Sequence, residues 1–120
     1  MIVLVVDDET DIRLALAEVL TSEGYQVVDA RDGQEALDKA RKYQPELVLL
    51  DLMMPRMNGW EFRRQQKGDR ALARIPVVVL SAFANEGNVD AEAFIQKPFD
   101  VDEIVSAVRR YALPAPHPSA

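Results

Sequence analysis

Asp7, Asp8 and Glu9 follow the apolar run Ile2–Val6, and Asp51 follows Leu47–Leu50. Ser81 follows Val77–Leu80, and Lys97 with Pro98 follows Ala93–Gln96. Carboxylates, a hydroxyl and an ammonium therefore stand just past short apolar runs. One acid in such a place is as readily a helix cap. Several carboxylates drawn together repel one another and resist full ionisation. A divalent cation, the ammonium of Lys97, or both would offset that repulsion. An all-oxygen donor set with open positions suits Mg²⁺ (or Mn²⁺), which takes one or two carboxylates plus phosphate oxygens. A carboxylate can also act as a nucleophile and form an aspartyl-phosphate. Phosphoryl transfer then asks mainly for positioning and charge stabilisation. Asp51 as acceptor, Asp7 and Asp8 around a cation, and Ser81 and Lys97 on the phosphoryl oxygens would supply every part.

These residues must be delivered to one place by the elements around them. Ile2–Val6, Leu47–Leu50 and Val77–Leu80 are continuous runs rich in branched residues. Such runs read as strands covered on both faces, as in a parallel sheet. Gln26–Ala30 and Ala93–Gln96 are weaker strand candidates, nearer the sheet edges. Between them the pattern predicts helices. Thr10–Glu23 is apolar at 12, 14, 15, 16, 17, 19 and 20 and stops at Gly24. Asp32 with Glu35, and Asn58 with Glu61, resemble capping boxes. Asp100 can cap a last helix with Val101, Ile104, Val105, Val108 and Ala112 at helical spacing. Strands alternating with helices imply an α/β sandwich with a parallel sheet and right-handed crossovers. In such sheets ligands sit at the carboxyl ends of the strands, near a switch in strand order.

The chain has 120 residues, which favours one domain over 1–113, with a Pro-rich tail or linker stub at 114–120. Its net charge of −6 argues against direct nucleic-acid binding and against docking on an anionic membrane. There is no cysteine, hence no disulfide framework and no thiolate metal site. No apolar run is long enough for a membrane span, so a cytoplasmic location is the default. The single histidine, His117, lies in the tail, which leaves acid–base work to other groups.

The segments VVDDE (Val5–Glu9), LLDLMMPRMNG (Leu49–Gly59), VVVLSA (Val77–Ala82) and AFIQKPF (Ala93–Phe99) together resemble a response-regulator receiver domain of two-component signalling. The resemblance implies a (βα)₅ flavodoxin-like three-layer fold with strand order 2-1-3-4-5. By it, Asp51 is the phosphoacceptor, Asp8 a direct Mg²⁺ ligand, and Asp7 acts mostly through metal-bound water. The backbone carbonyl of Met53 is a further metal ligand. Ser81 is the switch hydroxyl, Lys97 pairs with the phosphoryl group, Phe94 holds the aromatic switch position and Pro98 follows a cis bond. The expected donor is a histidine kinase or a histidine phosphotransfer protein, with the receiver a monomer or weak dimer.

Met53 and Phe83 stand two residues after Asp51 and Ser81, where receivers flank the route of the hydrolytic water. Both are apolar and cannot orient water, so slow self-dephosphorylation is expected. On the first helix Leu16, Ala17 and Leu20 can face the sheet. Asp11, Ile12, Ala15, Glu18 and Val19 then form the expected docking edge for the donor. Arg63, Arg64 and Lys67 read most simply as a solvated helix face, although Arg63 falls where receivers often place an apolar residue. Between Ser81 and Pro98 the gap is more than one helical turn shorter than is usual, and Ala82–Val89 holds Gly87 and two Asn. The family's fourth helix is therefore expected to shrink to a turn or loop across Ala84–Asp90.

Other functions are less well served. A phosphohydrolase of the haloacid-dehalogenase type would place a second Asp where Met53 stands. A flavin-binding module would need a Ser/Thr/Gly-rich loop where Asp7, Asp8 and Glu9 stand. A non-phosphorylated interaction module would not need all five principal site residues. Receiver chemistry is self-catalysed, so whether to call the chain an enzyme stays open. It is read either as a stand-alone receiver or as a piece of a longer chain.

Overall fold

The computed structural model describes residues 1–82 and 89–112. Its elements run β1 (Ile2–Val6), α1 (Thr10–Ser22), β2 (Gln26–Ala30), α2 (Gly33–Tyr43) and β3 (Leu47–Asp51). They continue with α3 (Gly59–Lys67), β4 (Val77–Ser81), β5 (Ala93–Gln96) and α4 (Val101–Tyr111). The five strands form one parallel sheet in the order β2-β1-β3-β4-β5. The order reverses beside β1, so β1 and β3 lie side by side with their carboxyl ends together. Every residue of β3 and β4 is buried, as continuous branched runs in a covered parallel sheet should be.

Each strand face has its own core. Leu4, Val6, Val48, Leu50, Val77 and Val79 pack with Leu37 of α2 and Phe62 of α3. Val3, Val5, Leu47, Leu49, Val78, Leu80 and Ile95 pack with Leu16 and Leu20 of α1 and Ile104 and Val108 of α4. Alternation of side chains along each strand makes this division.

The helix ends follow from local chemistry. Asp32 caps α2, its Oδ1 accepting from the Glu35 N–H at 2.9 Å, and Asn58 caps α3 by accepting from the Glu61 N–H at 2.9 Å. Both offset orphan N–H groups of a first turn. Past α1, Gly24 takes φ +95, a conformation that favours glycine, and Tyr25 N–H returns to the Leu20 carbonyl at 3.0 Å.

The crossover from β4 to β5 departs from the other strand–helix–strand units. It spans residues 82–92, and its described residues, Ala82 and 89–92, are not helical. Any helix in this crossover has no more than residues 83–88 to occupy; the expectation for Ala84–Asp90 falls mostly on those residues, outside the described set. The return of this crossover is held by α3. Arg63 is buried rather than part of a solvated face, at 8% exposure. Its Nε donates to the Asp90 carbonyl at 2.7 Å and its NH1 to Gln66 Oε1 at 2.9 Å. Gln66, also buried, donates from Nε2 to the carbonyls of Leu72 and Ile75 at 3.0 and 2.9 Å. Lys67 pairs with the Asp90 carboxylate at 2.7 Å. Replacing Arg63 by Met leaves the buried Gln66 Oε1 without its donor and frees the Asp90 carbonyl. It is expected to cost about 1–3 kcal/mol, read as a lower urea midpoint at unchanged slope.

Candidate functional site

The sequence-predicted residues do converge. Asp7, at the end of β1, is fully buried, and Asp51 ends β3 at 5% exposure; Asp8 is exposed. One carboxylate oxygen from each of Asp7, Asp8 and Asp51 lies within 4.8 Å of the others. Lys97, just past β5, places Nζ 2.8 Å from Asp7 Oδ2 and 3.7 Å from Asp51 Oδ1. Ser81 ends β4 and is buried, and its carbonyl accepts from the Lys97 N–H at 2.6 Å. The Lys97–Pro98 peptide is cis.

The charges are not in balance. Burial, then the neighbouring charge of Asp7, pushes the Asp51 carboxyl up to about 6, against an opposing pull from Lys97. Burial works against the Lys97 ammonium, yet the hydrogen bond and charge of Asp7, with the charges of Asp51 and Glu9, outweigh it and hold Lys97 above its ordinary value. Asp7 is thus the group that keeps the ammonium in place, and Asp51 the one left short of compensation. Three carboxylates answered by one ammonium fit a hard divalent cation by donor chemistry.

Support residues tie the loops down. Arg13 of α1 donates from NH1 to the Asp7 carbonyl at 2.8 Å and from Nε to Asp29 Oδ2 of β2 at 3.0 Å. The Met53 N–H donates to Asp51 Oδ1 at 3.3 Å, and the Glu9 N–H to Asp7 Oδ1 at 2.9 Å. Arg56, in the loop after β3, pairs through Nε and NH2 with Oδ2 of Asp32. None of these arginines carried a sequence signal, because their partners lie on other elements.

The remaining expected residues are placed as follows. Met53 is 56% exposed and lines a cleft with Asp8, Met54, Pro55, Asn58 and Trp60. Phe83 lies outside the described residues, as does the tail with His117. Phe94, on the outermost strand, is 47% exposed. On α1, Asp11, Ala15 and Glu18 are exposed, while Ile12 and Val19 are half-buried. Leu14, absent from the expected docking edge, is the most exposed large apolar residue of that helix at 62%. A second cleft, between α1 and the loop after β5, is lined by Glu9, Ile12, Ala82, Lys97, Pro98 and Phe99.

The family model for the response regulator receiver domain matches residues 3–109. The chain belongs to the response-regulator receiver family. Receiver relatives agree in both sequence and fold. The polar-differentiation response regulator DivK of Brucella ovis is 33% identical over 116 residues, spanning 92% of this chain and 94% of that one. Chemotaxis response regulator CheY4 of Vibrio cholerae superposes with a TM-score of 0.85 at 32% identity, covering 92% and 97% of the two chains. The receiver domain of a signal transduction histidine kinase from Syntrophus aciditrophicus gives 0.85 at 30% identity, covering 92% and 88%. Among the described residues of this receiver, no helix is long and apolar enough to cross a membrane.

Proposed function

We propose that this receiver accepts a phosphoryl group on Asp51 from a histidine kinase or histidine phosphotransfer protein in a two-component system or phosphorelay. The observation that carries the reading is the convergence of Asp7, Asp8, Asp51 and Lys97 at adjacent strand ends. In the transfer the phosphorus–nitrogen bond of the donor breaks as a bond forms to an Asp51 carboxylate oxygen. Asp51 attacks as the carboxylate, the prevailing form at neutral pH for a group near 6. Asp7, Asp8, Asp51 and the Met53 carbonyl would hold Mg²⁺ (or Mn²⁺). Bound there, the cation would supply charge neutralisation to the phosphoryl oxygens. Lys97 keeps its ammonium against Asp7 and can turn to a phosphoryl oxygen on Asp51. The Ser81 hydroxyl and the Phe94 ring are assigned the switch that alters partner binding. The docking edge on α1 is assigned to Asp11, Ile12, Ala15, Glu18 and Val19, and the working compartment to the cytoplasm.

Slow self-dephosphorylation belongs to the same reading, because Met53 offers no hydrogen bond to an attacking water. The test is incubation with a small acyl phosphate and Mg²⁺, followed by intact-mass analysis. One phosphate adduct is expected, absent from Asp51→Asn and decaying slowly. No adduct on the wild type, or an undiminished one on Asp51→Asn, would sink the assignment. Rapid decay hastened by Met53→Ala would sink its kinetic part.

A further inference from the structure

The loop from Leu52 to Asn58 carries the Met53 carbonyl, lines a cleft with Asp8, and donates the Met53 N–H to Asp51 Oδ1. It is held at three points. At its far end the Gly59 N–H donates to the Leu52 carbonyl at 3.0 Å. Near its middle the Met57 carbonyl accepts from the Gly33 N–H at 2.8 Å. A Cβ on Gly33 would come within 2.6 Å of that same carbonyl oxygen, so the first turn of α2 lies directly on the loop. The third point is the ion pair of Arg56 with Asp32.

This pair has features that a passing surface contact lacks. The Asp32 side chain is 4% exposed, although that of Arg56 is 66% exposed. Asp32 Oδ1 is committed to the Glu35 N–H, so the carboxylate cannot swing away without uncapping α2. Its Oδ2 accepts from both Nε and NH2 of Arg56. The Glu35 N–H first, and Arg56 after it, hold the Asp32 carboxyl below the usual carboxylate range. Arg56 also sits at φ +61, a backbone region that a residue with a side chain occupies at a cost. The loop thus keeps an unfavoured conformation at the one residue whose guanidinium reaches the rigid helix end.

We propose that Arg56 and Asp32 are positioning residues for the metal site: their ion pair fixes the loop so that the Met53 carbonyl faces the acidic cluster. This inference rests on the proposed cation site. Neither side chain is among the residues that would hold the cation. They act as the supporting contacts of a ligand do, whose loss typically weakens metal affinity about 10–100-fold.

Calorimetric titration with Mg²⁺ alone, without a phosphodonor, tests the pair. Asp32→Asn keeps an acceptor for the Glu35 N–H but drops the charge, and Arg56→Gln drops the fork. Each is expected to weaken Mg²⁺ binding about tenfold. The double variant should be no weaker than either single one, and Arg56→Lys should recover part of the affinity. Arg56→Gly separates positioning from folding. It relieves the positive φ, which offsets part of the cost of leaving Asp32 Oδ2 unmatched, so the unfolding midpoint in EDTA should fall less than in Arg56→Gln while Mg²⁺ affinity falls as far. Arg41→Gln breaks an exposed ion pair with Asp69 away from the loop and should leave Mg²⁺ affinity unchanged. Wild-type affinity in Asp32→Asn and Arg56→Gln, with only their EDTA midpoints lowered, would overturn the proposal and leave the pair a structural clip. Absence of Mg²⁺ binding by the wild type would instead overturn the cation site itself.

Discussion

Asp51→Asn raises the unfolding midpoint of the metal-free receiver at pH 7.5 by several °C. The carboxyl stands near 6 in the folded chain against an ordinary 3.8. The folded state therefore holds its proton more tightly than the unfolded state does. Between those two values stability falls as pH rises, and above about 6 the whole penalty is present. At 1.36 kcal/mol per pH unit the shift amounts to about 3 kcal/mol as an upper figure. An amide of the same shape carries no such charge. The substitution does not strand the ammonium, because Lys97 keeps Asp7 at 2.8 Å. The gain should fade below about pH 4, where both states of the wild type are protonated. Saturating Mg²⁺ should also narrow it, since a cation held more tightly at the proposed site by the folded wild type than by the variant would stabilise that state by mass action. Thermal scans in EDTA across pH 4–8, comparing both proteins, measure this. Equal midpoints at pH 7.5 would mean that the buried carboxylate is fully compensated without a cation.

Gly59→Ala is expected to destabilise the receiver by about 3 kcal/mol, at the upper end for overpacking a core. A Cβ at Gly59 would lie 2.6 Å from the Asp51 carbonyl oxygen and 2.7 Å from Leu52 Cα. Both are backbone atoms where β3 ends, and a rotamer change cannot move them. Either α3 must lift or the end of β3 must shift, and the second option displaces Asp51, the proposed phosphoacceptor. The matched control is Gly68→Ala, whose Cβ would meet nothing nearer than 3.7 Å. Urea unfolding should show a large loss for the first and little change for the second. A small loss at Gly59 would show that α3 is looser against the sheet than its contacts indicate.

Those two glycines mark the boundary of what the amino-acid order makes legible. The strands at Ile2–Val6 and Val77–Leu80 are readable because continuous branched runs have few other uses in a small α/β chain. Once they are placed, the acids, hydroxyl and ammonium after them fall on one sheet edge, and the site follows with little further input. Asp32 is legible as a cap, because capping is local and Glu35 is three residues on. Its second partner, Arg56, is 24 residues away in a loop without periodicity, and nothing local announces it. Arg63 was misread for a related reason. A guanidinium among basic neighbours looks solvated, but here the crossover returning from β4 supplies a carbonyl that draws it inward. The exposure of Leu14 is not legible, because an apolar residue on an already wide apolar arc does not declare which way it points.

The sheet also separates the described apolar residues into two clusters that have no side chain in common. Val79 and Leu80 are adjacent, yet one packs with α2 and α3 and the other with α1 and α4. Damage at Phe62 and damage at Leu16 have no side chain in common through which one could relieve the other. Suppressor changes that restore a weakened variant should therefore be sought on its own side of the sheet. A lineage of this receiver could respecify one side of the sheet while the opposite side drifts on a separate course.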